Sequence, residues 1–238
     1  MTRLCTICAR GGSKGVPGKN TRLLAGLPML VHSIKQAQAS GLFDVVAVSS
    51  ESQPILGIAG EYKAFLIHRP DRMATDTASK LPAMGHAIRD VEVRLNIKVD
   101  TYVDLDCTSP LRSLDDIRSV VMMLETRKVT NVVTGCPARR HPGFNMVRKS
   151  KDGTHVGLVT PSSVHRRQDA PPCWDMNASI YAWDRKSILE SPVLWNDDTL
   201  LYEMPVERSW DIDTELDFKI VRMLMEQKHG TPRQTPKS

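Results

Sequence analysis

Apolar and polar positions alternate in two rhythms along the first two thirds of the chain. Short apolar runs at residues 4–9, 45–49, 64–67, 102–106 and 129–134 read as buried strands. Between them lie stretches with helical spacing. Residues 28–40 carry Pro28 near the start and Gly41 just past the end, the arrangement that suits a helix. Residues 53–61 and 115–126 read as two more helices. In a fourth, Leu81, Met84, Ile88, Val91 and Leu95 recur in steps of three and four, which gives one apolar face, with Asp76 or Thr77 as its N-cap. Strands that alternate with helices imply βαβ units, and hence a parallel sheet covered on both faces.

The rhythm breaks at residues 137–172, a stretch rich in Pro, Gly, Arg and His with strand candidates only at 145–148 and 155–159. It reads as an insertion, an antiparallel excursion that meets a partner subunit. The α/β pattern resumes with a strand at 178–183. A last helix at 214–227 is expected to turn Leu216, Ile220, Val221 and Leu224 inward. The chain thus divides into an α/β body, residues 1–136 and 173–228, an inserted segment at 137–172, and a flexible basic tail at 229–238.

Composition changes this picture little. With 238 residues, 41% hydrophobic and 25% charged, the chain is ordinary for a globular protein. The runs free of Asp, Glu, Lys and Arg at 23–34 and 154–165 are too short for a membrane span. The net charge is +5, but Lys228, Arg233 and Lys237, near the C-terminus, account for three of it. With 5% aromatics and no interleaving of rings and basic residues, nucleic acid is not an expected partner. No signal peptide is visible, and the five scattered cysteines suit a reduced, cytoplasmic protein. Cys5 and Cys8 are three apart on a strand and are expected to face opposite ways, which argues against a zinc or redox pair. Cys107, Cys136 and Cys173 read as small residues in or near the core.

The densest chemical signal runs from Ala9 through Arg10, Gly11, Gly12, Ser13, Lys14 and Gly15 to Gly18, Lys19 and Asn20. It follows the first strand, where open α/β sheets bind ligands. Its glycines let the backbone approach an anion, and Arg10, Lys14 and Lys19 supply charge suited to a triphosphate. It is neither a dinucleotide fingerprint nor a P-loop, because the glycine spacing fits neither and Asn20 stands where a P-loop has Ser or Thr. Two acidic pairs accompany it. Asp211 and Asp213, spaced by two before the last helix, suit a hard cation such as Mg²⁺ (or Mn²⁺), although Asp213 is also well placed as a helix cap. Asp104 and Asp106 form a second same-face pair.

These stretches together resemble a known family. Residues 8–15 with Lys19-Asn20 are similar to the opening motif of cytidylyltransferases that activate nonulosonic acids, including sialic, legionaminic and pseudaminic acids. Arg69-Pro70 with residues 74–79, Thr108-Ser109-Pro110-Leu111-Arg112, residues 166–169 with 177–181, and residues 211–215 resemble the remaining four motifs, in order. The resemblance implies a three-layer, Rossmann-like, mostly parallel sheet of the nucleotide-diphospho-sugar transferase type with a small dimerisation insertion. It implies CTP and a nine-carbon α-keto acid sugar as substrates, CMP-sugar and pyrophosphate as products, and a homodimer.

The resemblance also implies roles. Residues 9–14, Lys19 and Asn20 would hold the nucleotide, with Asn20 ordering the loop or touching the nucleotide. Arg69, Ala78 and Ser79 would line the cytosine and ribose pocket. Asp106, Phe144, Asn145, Arg167, Gln168 and Tyr181 would meet the sugar, with Arg167 near its carboxylate and Tyr181 equally compatible with the core. Arg10, Lys19 and Asp211 would act in catalysis, and Asp211 and Asp213 would hold the metal. The sialic acid branch usually carries Gln at the position of Asp106 and a Lys after His141-Pro142. Here Asp106 and the absence of that Lys depart from the sialic branch, and Phe144-Asn145-Met146 with residues 4–10 resemble the legionaminic branch, so a 5,7-diamino sugar is expected over N-acetylneuraminic acid.

Overall fold

The computed structural model describes residues 1–12, 15–75 and 77–228. Ser13, Lys14, Asp76 and the tail at 229–238, all singled out above, lie outside the described residues.

Strand β1 (Arg3–Cys8) leads through a hairpin of β2 (Leu23–Leu24) and β3 (Leu27–Pro28) into helix α1 (Met29–Ser40). Then follow β4 (Val45–Ser50), α2 (Gln53–Glu61), β5 (Phe65–His68), α3 (Lys80–Leu95), β6 (Thr101–Leu105), α4 (Leu114–Arg127) and β7 (Asn131–Pro137). The chain then leaves the sheet for an antiparallel pair, β8 (Val147–Lys149) and β9 (Val156–Leu158), and returns as β10 (Trp174–Asp184). Helix α5 (Arg185–Glu190), strand β11 (Leu200–Glu203) and helix α6 (Glu215–Lys228) complete it.

Seven strands form one sheet in the order β11-β7-β10-β6-β1-β4-β5. All neighbours are parallel except β10, which runs antiparallel between β6 and β7. Helices cover both faces, as the βαβ pattern requires. On one side α1, α2 and α4 pack on Cys5, Ile7, Val48 and Val103. On the other, α3 and α5 pack on Leu4, Cys8, Tyr102 and Trp183. Cys5 and Cys8 therefore face opposite layers, as their spacing predicts.

A third cluster closes the end of the molecule. Val16 from the glycine-rich loop, Leu24 from the hairpin, Met29, Leu111 and Ile212 pack against Phe218, Val221 and Met225 of α6. This corrects the reading of the last helix. Leu216 points to solvent, and the inward face is set by Phe218, Val221 and Met225. Of the residues expected inward, Val221 is buried and Leu224 packs partly against the cluster, whereas Leu216 fails because the helix meets a loop cluster at its start rather than the sheet. Leu95 is likewise exposed, at the frayed end of α3. The N-cap of α3 is Ser79, whose side chain accepts from the Leu81 amide, rather than Asp76 or Thr77. Cys173 is half-buried at the start of the returning segment rather than in the core.

The body is stapled by a buried arginine. Arg112 ends the Thr-Ser-Pro-Leu-Arg run, and its guanidinium donates to Ser179 Oγ (3.0 Å), Ser33 Oγ (3.0 Å), Gln36 Oε1 (3.2 Å) and the Asp106 carbonyl. One side chain thus ties α1, β10 and the turn after β6 together. Burial lowers its pKa to about 10, which leaves it charged at neutral pH. Removing it takes a donor from four acceptors, of which the Asp106 carbonyl still keeps Ser33 Oγ, and a charged hydrogen bond contributes about 1.5–3 kcal/mol. Arg112→Met should cost roughly 3 kcal/mol and lower Tm by roughly 6–12 °C for a chain of this size. A thermal melt that moves by less than about 2 °C would contradict the staple.

Candidate active site

The carboxyl ends of β1, β4, β5 and β6 surround a cavity of about 360 Å³. The glycine-rich loop forms one wall, and its shape is fixed from several directions. The Gly11 amide donates to Glu51 Oε1 at 2.6 Å, at the end of β4. Asn20 is buried; its Nδ2 donates to the Arg10 carbonyl (2.9 Å) and its Oδ1 accepts from Cys107 Sγ (3.0 Å). Of the two roles open to Asn20 in the sequence, the geometry shows the loop-ordering one. Gly15 must be glycine, since a Cβ there would stand 2.1 Å from the Asp213 carbonyl oxygen. Lys19 Nζ donates to the Ile212 carbonyl at 2.8 Å and lies 3.3 Å from Asp213 Oδ1.

The β4–β5 side brings the second stretch into place. Arg69 follows β5 and is buried, donating through Nε to Ser49 Oγ and through Nη2 to the Ser49 carbonyl. Arg10 Nη1 reaches across to the Thr75 carbonyl at 3.3 Å. Ala78 and Ser79 complete this wall.

The β6 side carries the acidic groups. Asp104 is fully buried at the end of the strand and accepts from Thr6 Oγ1 (3.0 Å). Lys80, the first residue of α3, places Nζ 2.5 Å from Asp104 Oδ2 and 2.9 Å from Asp106 Oδ2. Asp106 Oδ1 accepts from both the amide (3.0 Å) and the hydroxyl (2.9 Å) of Thr108. Burial pushes the Asp106 carboxyl up, but the Lys80 ammonium and the Thr108 donors more than offset it and hold the group well below the usual carboxylate range. Burial likewise opposes the charge on Lys80, and the two carboxylates overcome it, so its pKa stands well above normal.

Asp213 lines the main cavity, whereas Asp211 lines an adjoining hollow with Asp175, Asn177 and Trp210. The two still feel each other. Half-burial, then Asp213, Asp217 and Asp106, raise the pKa of Asp211. The capping role open to Asp213 falls instead to Thr214 and Asp217, which exchange hydrogen bonds across the first turn of α6.

The structure gathers Arg10, Lys19, Asn20, Arg69, Ala78, Ser79, Asp106 and Asp213 around the cavity. It puts other predicted residues elsewhere. Ala9 is buried, and its amide continues the sheet by donating to the Ser49 carbonyl. Gly11 and Gly12 lie on the outer turn of the loop. Tyr181 is nearly buried, stacked on Trp183 with Lys80 Nζ 5.6 Å from its ring centre, so it supports the cavity from beneath. Phe144 and Asn145 belong to a turn built around His141, whose amide donates to Asn145 Oδ1 (2.8 Å). Arg167 donates to the Ala138 carbonyl, and Gln168 is exposed beside it. These four lie on the excursion between β7 and β10, and none lines the cavity of this chain.

Lys80 is the site residue that the motif reading overlooked. A signal was present: a cation at the first position of a helix opposes the macrodipole and needs a local anion to offset it. Asp104 and Asp106 are those anions. Glu51 was also overlooked, because a single Glu after a strand carries no pattern.

Comparisons with known proteins bear on the family and the fold. The cytidylyltransferase family profile matches residues 4–165. The chain is 40% identical to CMP-N,N'-diacetyllegionaminic acid synthase of Campylobacter jejuni, covering 97% of both chains, and 40% identical to a post-translational flagellin modification protein B of Campylobacter coli, covering 95% of this chain and 96% of that one. It is 32% identical to an N-acylneuraminate cytidylyltransferase of Streptococcus agalactiae over 92% of this chain and 52% of that protein. Among solved structures, CMP:2-keto-3-deoxy-manno-octonic acid synthetase in complex with CTP superposes with a TM-score of 0.69 at 18% identity, over 96% of this chain and all of the other, which shows a common fold. A sheet with a basic glycine-rich loop and an acidic cluster at its carboxyl edge, five ordered motifs and these matches lead to one conclusion: the chain belongs to the cytidylyltransferase family.

Proposed function

We propose that this enzyme activates a nine-carbon α-keto acid sugar of the legionaminic or sialic acid type with CTP, releasing CMP-sugar and pyrophosphate. The observation that carries the reading is the contact between Lys19 and the Ile212–Asp213 segment, which sets a polyphosphate-binding loop beside a carboxylate pair. A protein that only bound nucleotide would have no use for that pair.

In the reaction the anomeric hydroxyl of the sugar attacks the α-phosphorus, the bond to pyrophosphate breaks, and the hydroxyl proton passes to water. Arg10 and Lys19 face the triphosphate and stabilise the charge that grows on pyrophosphate, and positioning with charge neutralisation supplies most of the acceleration in such transfers. Arg69, anchored on Ser49, fixes the nucleotide side of the cavity.

The residues present fit a divalent cation. Asp211 is half-buried and crowded by Asp213, Asp217 and Asp106, a surplus of negative charge that a cation relieves. Among the described residues no three Asp, Glu, His or Cys side chains gather as a ready metal site, in keeping with Mg²⁺, which commonly takes one or two carboxylates and completes its shell with phosphates and water. Mg²⁺ (or Mn²⁺) held by Asp211 and Asp213 would withdraw charge from the phosphate oxygens.

Two further features belong to this reading. The β8–β9 pair stands apart from the main sheet with Val147 and Val156 exposed, which supports a homodimer in which the excursion of each subunit, with Phe144, Asn145, Arg167 and Gln168, completes the sugar site of the other. Light scattering should give twice the chain mass. No described helix is long and apolar enough to cross a membrane, and the five free thiols suit the reducing cytoplasm.

Replacing Asp211 or Asp213 by Asn should remove most activity while leaving the melt close to that of wild type; EDTA should silence the wild type and Mg²⁺ restore it. Full activity of either variant in EDTA refutes the metal assignment. Lys19→Ala and Arg10→Ala should each lower kcat/KM for CTP roughly 10- to 100-fold, the worth of one charged contact. Wild-type turnover in both would remove the loop from the phosphate site. The relatives and the Asp106, Phe144 and Met146 pattern favour a 5,7-diamino sugar. With limiting CTP and both sugars present, CMP-legionaminate should outweigh CMP-N-acetylneuraminate, by about 10-fold if one pocket contact decides. A mixture dominated by CMP-N-acetylneuraminate reverses the assignment.

A further inference from the structure

Lys80 reaches out of the nucleotide wall and touches the opposite wall. It begins α3, directly after Ala78 and Ser79, yet its ammonium lies on Asp104 and Asp106 at the end of β6. The hydrogen-bonding capacity of this group is not used up. A carboxylate offers about four acceptor positions and an ammonium three donors. Asp106 spends three positions, on the Thr108 amide, the Thr108 hydroxyl and Lys80. Lys80 donates to Asp106 and forms an ion pair with Asp104, so at most two of its donors are taken. Both side chains keep partial exposure, 30% for Lys80 and 20% for Asp106, and both line the cavity. One acceptor and one donor are therefore left side by side, on groups that cannot turn away.

An adjacent donor and acceptor match a secondary amide, which offers its N–H to the carboxylate and its C=O to the ammonium. The strand order decides which substrate would present it. Arg69, Ala78 and Ser79 come from the β4–β5 side of β1. Asp106 directly follows β6, next to β10, and its amide donates to the Ser179 carbonyl of β10 at 3.1 Å. The acceptor has to stand next to the α-phosphate and the carboxylate pair, on the β6–β10 side.

We propose that Lys80 and Asp106 together read an acylamino group of the acceptor sugar, Lys80 donating to the amide carbonyl and holding Asp106 to accept from the amide N–H. The proposal rests on the reading that the acceptor is an amino-substituted nonulosonic acid, and it adds Lys80 to the determinants of that specificity. A single Gln at position 106 would offer a donor and an acceptor from one neutral group; here two charged side chains share the task, with Asp104 anchoring the cation.

Steady-state kinetics on three variants test this, with KM measured separately for CTP and for N,N'-diacetyllegionaminic acid. Lys80→Met removes the donor but leaves two buried carboxylates uncompensated. The charge-balanced Lys80→Met/Asp104→Asn removes one charge of each sign and keeps the fold testable by melting. In Asp106→Asn one oxygen becomes a donor. Lys80→Met/Asp104→Asn should melt near the wild type and raise the KM of the sugar at least 10-fold, with the KM of CTP within threefold. Asp106→Asn should raise the sugar KM similarly. If the balanced variant keeps the sugar KM of the wild type, Lys80 serves only to neutralise Asp104 and the proposal is overturned. If the KM of CTP rises instead, the pair reads the nucleotide, and the proposal is equally overturned. Failure of the wild type to use any nonulosonic acid would count against the proposed function itself, a result separate from any ratio between variants.

Discussion

The site depends on one closure, in which the segment before the last helix docks on the loop after the first strand. The Ile212 amide donates to the Thr108 carbonyl, the Ile212 carbonyl accepts from Lys19, and the Asp213 carbonyl lies where Gly15 could bear no side chain. Ile212 then buries itself between Val16 and Phe218. Stretches almost two hundred residues apart thereby share one small apolar cluster, and the polar atoms above it form the cavity wall. The sheet supplies a rigid edge, Glu51, Asn20 and Cys107 hold the start of the loop, and this docking holds its end. Close approach of backbone to backbone explains why glycine is required at position 15, independently of any ligand.

A second theme is how the cavity handles charge. Its basic groups, Arg10, Lys19 and Arg69, rest largely on carbonyl oxygens of Thr75, Ile212 and Ser49. Carbonyls orient a cation without cancelling its charge. The acidic groups on the β6 side are treated differently. Asp104 and Asp106 are compensated by Lys80, whereas Asp211 and Asp213 are left in mutual repulsion, apart from the long contact of Asp213 with Lys19.

Much of this was legible in the sequence, and the failures have physical reasons. The βαβ alternation gave the sheet and its two helical layers because buried strands and amphipathic helices impose different periods. The helix at 53–61 was placed to the residue, bounded by a proline inside its first turn and the end of its apolar pattern. In α6 Val221 and Leu224 face the cluster as their spacing predicts, but Leu216 does not and Phe218 and Met225 do, because the partners there are loop residues whose apolar character follows no period. Strand β11 and the short α5 escaped notice for the same reason, being too brief for either rhythm to register. In the site, motifs dense in glycine and charge were legible. Lys80 was not, because its meaning lies in the pairing of α3 with β6, a tertiary fact. The excursion residues Phe144, Asn145, Arg167 and Gln168 were read as pocket groups by resemblance, while in one chain they stand outside the cavity.

Cys8 and Cys107 both line the cavity, and their thiols are pushed up to about 12, first by burial and then by neighbouring carboxylates. Thiolate is the reactive form, so at neutral pH these two sulfurs are almost inert towards alkylating reagents. Cys5 is sealed in the layer opposite Cys8, and burial raises its pKa well above normal. Cys173 is the half-open thiol of the five, and it sits where the excursion rejoins the sheet, its carbonyl accepting from the Ala138 amide. A maleimide dye used briefly on the native protein would therefore mark that junction selectively. The wild-type sequence thus carries a ready attachment point for an optical reporter at the junction of the excursion, outside the residues that line the cavity of its own chain.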